Sequence, residues 1–398
     1  MQNNDPIVIV GYARTPLGSF QGVLAPLTAP QLGSCAIRGA LNNAKVAVNK
    51  IQEVIMGCVL PAGLGQAPAR QAALGANLEN STACSTINKV CGSGMKAIML
   101  AHDALLAESI NSQMMMVAGG MESMTNAPYL LAKARSGFRM GHGNVQDHMF
   151  VDGLEDAYDR GKLMGIFADE TAARLKISRT QQDEFTLRSL ELAQQAIKNN
   201  YFAQEITPVT IPSKTETITI TIDECPSKAK PDKIPTLKPA FSPDGTVTAA
   251  NSSSISDGAA ALVLMRLSTA QQNGLTPIAK ILGQTQHSQE PHLFTTAPVG
   301  AITKLLSKTN LKLSQIDLFE INEAFAVVTL AAIQELKLDL NKVNVHGGAC
   351  ALGHPIGASG ARIICTLLSG LRNANKKIGI AAICIGGGEA TAMAVELL

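Results

Sequence analysis

The chain alternates short apolar runs with longer stretches in which apolar residues recur every three or four positions. The runs in "PIVIVGY", "KIQEVIMG", "MMMVAGGMES", "QIDLFEIN" and "AAICIGGGEA" are rich in Ile, Val and Met and end at glycine or a polar residue, which is how buried strands read. After "NKVCGSG", the apolar residues Met95, Ile98, Met99, Ala101 and Leu105 keep to one face of a helix. "SRTQQDEFTLRSLELAQQAIKNN" predicts a second amphipathic helix, capped at Ser178 or Thr180. "TETITITIDECPSKAKPDKIPTLKP" reads as an edge strand followed by a loop of proline and lysine. Strands alternating with helices specify the α/β class.

The pattern also repeats. Ile51 aligns with Ile316, Ser93 with Ser359 and Gly119 with Gly386, at offsets of 265, 266 and 267 residues. Three matches in order predict two copies of one α/β unit. The stretch from about Thr125 to Thr246 has no counterpart and reads as an insertion on the first copy, of the kind that covers a site on a rigid scaffold. The expected organisation is a first half over 1–124 completed by 246–270, an inserted domain over 125–245, and a second half over 271–398.

Composition narrows the function. A 398-residue chain that is 46% hydrophobic, 16% charged and carries a net charge of +2 has neither the charge of a nucleic-acid binder nor an apolar run long enough to span a membrane. The opening "MQNNDPIVIV" lacks a basic or Arg/Ser-rich leader, so a cytoplasmic address is expected. Eight cysteines without a CxxC pair argue against a disulfide framework and against a zinc site.

Cys91 is the first candidate for chemistry. It stands at the mouth of a predicted helix, where unsatisfied N–H groups favour a thiolate, and Gly92 and Gly94 are expected to clear space for a substrate. The repeat puts Gly357 where Cys91 stands in the first copy, so His354 of "GHPIG" comes to a loop near Cys91, where it can take the thiol proton. Asn322 of "EINEAFAVV" reads either as a helix N-cap or as an amide that positions a water or a carbonyl, with Glu323 able to orient it. Cys384 ends a strand before three glycines; it reads as core or as a general acid/base toward a C–H acid, with the N–H of Gly386 free for an oxyanion.

These residues carry a resemblance. "VCGSGMKAI", "GGMESM", "NEAFA", "GGACALGHPIGASGAR" and "CIGGGEA" each look like a motif of the thiolase family, in the family's order, over essentially the whole chain. The resemblance implies two pseudo-symmetric βαβαβαββ core halves with an inserted loop domain, a homodimer or homotetramer, coenzyme A thioesters as substrates, and no metal or permanently bound cofactor. It implies Cys91 as the acylated nucleophile, His354 as its activator and Cys384 as the acid/base on the α-carbon of a second acetyl-CoA. One oxyanion hole would come from His354 and Asn322 through a water, the other from the N–H groups of Cys91 and Gly386. Ser253 of "TAANSSSISDGAA" matches the coenzyme A segment, and Met164, Phe241, Ala324 and Phe325 fall at tunnel-lining positions.

"GGMESMTNAPY" resembles the short-chain branch, which joins two acetyl-CoA into acetoacetyl-CoA and CoA; the loop after "GGMES" is expected to wall the acyl pocket, with Tyr129 bulky enough to close it. "GKLMG" departs from that branch, because Leu163 replaces a usual histidine, and so leaves longer 3-ketoacyl-CoA substrates as the alternative. His346, Cys350 and Glu389 are further departures. Lys228, Lys230, Lys233 and Lys238 are expected near the coenzyme A phosphates. Ketoacyl synthases resemble this family in fold and helix-mouth cysteine, but Cys384 and "GHPIG" favour thiolase.

Overall fold

The computed structural model describes residues 5–109, 111–211 and 217–398. The first half runs β1 (Ile7–Arg14), α1 (Ala29–Ala44), β2 (Glu53–Gly57), α2 (Pro68–Gly75), β3 (Ala83–Ile87), α3 (Ser93–Ala107) and β4 (Met115–Ser123). Within the inserted span the main helices are α4 (Met164–Leu175) and α5 (Arg179–Lys198), after which β5 (Ser256–Arg266) returns to the sheet. The second half runs β6 (Ala279–Ser288), α6 (Ala297–Thr309), β7 (Leu318–Ile321), α7 (Ala326–Leu336), α8 (Ser359–Asn373), β8 (Ile378–Ile385) and β9 (Glu389–Leu397).

The strands form one mixed sheet in the order β7-β8-β9-β6-β1-β5-β4-β2-β3. The halves join where β1 meets β6 through two antiparallel pairs, Val8 with Lys280 and Ile9 with Ala279. In each half the strands that follow a helical crossover are parallel, β2 to β3 and β4 and β7 to β8, and the rest are antiparallel. β1 and β5 are buried along their whole length, because helices cover both faces, and this is why they read as apolar runs rather than as alternation. β3, on the edge, is only partly covered.

α3 and α8 form the inner layer. They share one apolar cluster with β1, β4, β5, β8 and β9, through residues such as Ile98, Ile364, Leu368, Ile9 and Ile383. α1 and α2 cover the outer face of the first half and α6 that of the second. The inner position explains why α8 is buried from Ser359 to Leu371, including its polar stripe of Ser359, Arg362, Thr366 and Ser369.

The duplication is present. Ile51 and Ile316 each cap a 3₁₀ turn and lead into β2 and β7, and Ser93 and Ser359 each open a 15-residue helix. The third alignment needs correction. Glu53 pairs with Met116 and its counterpart Leu318 with Gly379, so β8 follows β4 at an offset of 263, and Gly119 corresponds to Ala382 rather than Gly386. Two Gly-rich ends of unequal length made the wrong register look right. The second half also departs from a full βαβαβαββ unit: opposite β7 the backbone makes only an isolated bridge, Phe319 to Val343. Asn344 has a left-handed φ of 48°, and its side-chain amide accepts from Ile321 N–H at 2.8 Å and donates to Ile321 C=O at 2.9 Å. The side chain takes over the ladder, and the strand stops.

Ser178 caps α5, its hydroxyl accepting from Gln181 N–H in a capping box. The predicted edge strand is short: Ile218–Ile220 pairs only with Val209–Ile211, away from the main sheet, and residues 215–216 lie outside the described residues.

Candidate active site

The turn between β3 and α3 holds its residues in an unusual backbone. Val90 has φ +46°, costly for a β-branched side chain. Asn88 Oδ1 accepts from Val90 N–H at 2.8 Å, Ser93 Oγ accepts from Lys89 N–H at 2.8 Å, and the same hydroxyl donates to Val90 C=O at 2.7 Å. Lys89 forms an ion pair with Glu389 of the second half, which gives that departure a structural role. The turn thereby presents Cys91 to a cavity of about 560 Å³ that His354 and Gly386 also line.

Gly92 and Gly94 do not clear space for a substrate. A Cβ at Gly92 would lie 2.3 Å from Ile385 Cδ1, and one at Gly94 would lie 2.8 Å from Ala361 N and 3.0 Å from Gly357 O. These glycines let the two halves approach, which puts the two turns side by side.

The sulfur of Cys91 faces its own N–H and that of Gly386. Even so, burial at the cavity wall outweighs both and pushes the thiol up to about 11, opposite to the lowering expected of a helix mouth. The helix end lends two N–H groups but the site withholds water, so the resting group is a thiol and needs a base.

His354 fits that need. Its Nδ1 lies 2.5 Å from Ser359 Oγ, and that hydroxyl donates to Pro355 C=O at 2.9 Å. With the serine proton committed, Nδ1 carries the imidazole proton and Nε2 keeps its lone pair. Nε2 is buried and has no partner among the described residues. Burial, helped by the nearby Arg362 guanidinium, holds His354 down to about 3, so the ring is neutral and able to accept a proton throughout the physiological range.

Cys384 is fully buried on β8, in the apolar cluster of Phe325, Ala324 and Phe294. Burial pushes its thiol well above the usual cysteine range, and the neighbouring Cys91 adds to this. Asn322 is buried after β7, its N–H donating to Ala382 C=O at 3.0 Å. It is not a helix cap: α7 begins at Ala326 after Phe325. Its Nδ2 is unpartnered among the described residues, and its Oδ1 receives Arg362 at 3.5 Å. Glu323 does not orient this amide. It bonds Ser189 Oγ at 2.8 Å, Asn344 Nδ2 at 2.8 Å and Cys350 N–H at 3.0 Å, tying α5 of the insertion to the second half. Cys350 is half-buried, with its sulfur on Glu323 C=O. His346 packs between Tyr201 and Phe202, away from the cavity.

Ser253, Met164, Phe241, Ala324 and Phe325 all line the cavity, and so does Leu163. Phe241 and Phe294 stand edge-on to Phe325, with ring centroids 5.9 and 6.4 Å away. Ser253 N–H is taken by Ala324 C=O, which leaves its hydroxyl for a ligand. Tyr129 does not wall the site. It lies in a hairpin of Tyr129–Leu131 with Val145–Asp147 and is 70% exposed; from the same loop, Met124 reaches the cavity instead. A smaller cleft of about 440 Å³ shares Ser19, Cys225, Ala249 and Ser254 with the cavity and is lined by Lys228, Lys230 and Lys233. Lys228 is already paired with Glu224, and Lys238 lines neither space.

Sequence reasoning missed Glu122, Arg362 and Phe20. Glu122 accepts from Val59 N–H and Gly357 N–H at 2.9 Å and from Leu60 N–H at 3.1 Å, holding the "GHPIG" turn against the first half; burial raises its carboxyl to about 7. Arg362 carried a signal, a cation three residues after Ser359 and directly before the apolar run of Ile363 and Ile364. Phe20 carried none.

Comparison with known proteins agrees with this geometry. The family model for the thiolase N-terminal domain matches residues 7–268, and that for the thiolase C-terminal domain matches 275–397. Acetyl-CoA acetyltransferase 2 of Arabidopsis thaliana is 49% identical, across 100% of this chain and 98% of its own length. Acetyl-CoA acetyltransferase of Escherichia coli is 48% identical, across 98% and 99%. The crystal structure of the Bacillus anthracis acetyl-CoA acetyltransferase superposes with a TM-score of 0.94 at 38% identity, covering 99% of each chain. A thiolase of Ascaris suum in complex with coenzyme A does so at 0.92 and 42%, covering 99% of this chain and 100% of its own. With both halves matched across nearly their whole length, the chain belongs to the thiolase family and is an acyltransferase.

Proposed function

We propose that the protein is an acetyl-CoA acetyltransferase that catalyses the reversible condensation of two acetyl-CoA into acetoacetyl-CoA and CoA. The observation that carries this reading is the convergence on one cavity of the Cys91 thiol, two N–H groups aimed at its sulfur and the free Nε2 of His354. Cys91 gives its proton to Nε2 and attacks the thioester carbonyl; the tetrahedral intermediate collapses, and the departing CoA thiolate takes the proton back. The product is itself a thioester, so each step stays reversible. Cys384 then passes its own proton to Nε2 of His354 and takes an α-proton from the second acetyl-CoA; the resulting carbanion attacks the acyl carbonyl and expels Cys91 as a thiolate, which recovers the proton from His354. Two oxyanions form at different carbonyls, and two donor sets answer them: His354 with Asn322 through a water, and the N–H groups of Cys91 and Gly386. Ser253 and the Met164, Phe241, Ala324 and Phe325 wall take the pantetheine arm, and the lysine cleft takes the phosphates. No metal or bound cofactor enters this scheme.

We also propose that the protein is a homodimer or homotetramer. The exposed Tyr129, Leu131, Phe138, Met140 and Val145 around the hairpin support self-association, and light scattering of the purified protein tests it. Chain length is tested by thiolysis. Acetoacetyl-CoA is expected to be cleaved at least as well as a 3-ketooctanoyl thioester. A methylene buried in an apolar pocket is worth about 0.8 kcal/mol, so a pocket open to four more would favour the longer substrate on the order of 100-fold. A steep rise in kcat/KM from C4 to C8 overturns the short-chain reading in favour of a longer-chain 3-ketoacyl-CoA thiolase, to which the apolar Leu163 in the wall would be suited.

A further inference from the structure

Arg362 is 1% exposed, yet its Nε and Nη1 have no hydrogen-bond partner among the described residues. A buried guanidinium left so poorly paired is expensive and calls for a reason. It lies on α8, one turn from Ser359, the residue that fixes the His354 tautomer. Nη1 stands 3.8 Å from Glu320 Oε2 on β7, a loose ion pair, and burial pushes the Glu320 carboxyl well above its usual range despite Arg362. Nη2 reaches Asn322 Oδ1 at 3.5 Å, the only side-chain partner of that amide among the described residues.

An amide has one accepting and one donating end, and a guanidinium only donates. Facing Arg362, Asn322 must turn its oxygen to the arginine; the opposite rotamer would set N–H against N–H. The NH₂ group is therefore delivered to the other side, where it is buried and unpaired. We propose that Arg362 is a positioning residue for the reaction, fixing the Asn322 amide so that its N–H donors serve the oxyanion. Two side chains one turn apart on α8 set the two members of one oxyanion hole: Ser359 holds the His354 ring, and Arg362 holds Asn322 by the direction of a single hydrogen bond. The inference rests on the proposed function, since it assigns a role to Asn322 and His354 at a thioester oxygen.

A double-mutant cycle tests it. The measured quantity is the single-turnover rate at which the acetylated enzyme condenses with acetyl-CoA to acetoacetyl-CoA, the acetyl group on Cys91 being checked by mass spectrometry on the intact protein. Arg362→Met in the wild-type background is expected to slow this condensation on the order of 10- to 100-fold, below the loss for removing an oxyanion donor outright, with KM for acetyl-CoA changed less than about threefold. In an Asn322→Ala background the same substitution is expected to cost less than about threefold, because the amide it orients is gone. Equal losses in both backgrounds overturn the proposal and leave Arg362 a structural residue. Arg362→Lys, which keeps the charge and a donor, is expected to recover part of the rate, and if Arg362→Met does not fold the cycle is run with Lys on the same criterion. Failure of the wild-type protein to acetylate at Cys91 sinks the functional reading itself; acetylation with an additive cycle sinks only the role of Arg362.

Discussion

The turns that open α3 and α8 are copies of one design put to different ends. Each precedes a 15-residue inner helix, each begins that helix with serine, and they touch through Gly94 and Gly360: a Cβ at Gly360 would lie 2.4 Å from Met95 N. In the first copy, Ser93 braces its own turn, Val90 is held at positive φ and the thiol faces the cavity. In the second, the equivalent of Cys91 is Gly357, whose N–H goes to Glu122 of the first half, and Ser359 serves a histidine. Duplication supplies the scaffold twice; the side chains make one turn present a thiol and the other an imidazole.

The largest effect is expected from removing the nucleophile. Cys91→Ser keeps size and turn but gives a far weaker nucleophile at neutral pH, so acetyl transfer from acetyl-CoA should be lost while the fold remains. Persistent acetylation by mass spectrometry would assign the chemistry to another residue. Cys384→Ala should come next. Condensation and the exchange of acetyl-CoA α-protons with deuterated water should disappear while acylation of Cys91 survives, because only the second half-reaction breaks a C–H bond. Equal loss of both half-reactions would show that Cys384 is needed for the turn rather than for the proton.

Breaking the contact between the turns should have a smaller effect. Glu122→Gln places a donor on a side chain that accepts from three N–H groups, and is expected to cost about 1–3 kcal/mol of stability in denaturant unfolding along with a fall in kcat. Unchanged stability would mean that the halves are docked by apolar packing alone. The smallest effect is expected farthest from both turns. Neutralising Lys228, Lys230, Lys233 and Lys238 should raise the KM for CoA a fewfold at low salt and less at high salt, with most of the change from Lys230 and Lys233, since Lys228 is already paired and Lys238 lies off the cleft. No change at low salt would leave these lysines as a solvated surface.

Much of this was legible because local signals and the repeat agreed. The run of Ile and Val at β1, the capping box at Ser178 and the matched serines of α3 and α8 are near-neighbour patterns that a sequence carries openly. The repeat then brought Cys91 and His354 to facing loops. It faltered at Gly119 and Gly386, where glycine-rich ends align by composition and only strand pairing reveals the four-residue error. Tyr129 misled for a related reason: its size says nothing of direction, and the hairpin points it to solvent while Met124 turns inward.

The sequence by itself determined the class of fold, the duplication, and which residue types stand at the ends of which strands, because period and spacing are properties of the chain. The protonation states were decided only in the tertiary structure. A helix mouth alone lowers a thiol, yet Cys91 is raised to about 11, and His354 is lowered to about 3. The reason is that the desolvation comes from segments far apart in sequence that close over both groups; the field of Arg362, eight residues from His354, only adds to it. The same holds for the two glycines beside Cys91. Their composition reads as open space, but the space is filled by the other half of the molecule, and that contact is what brings Cys91 and His354 to one cavity.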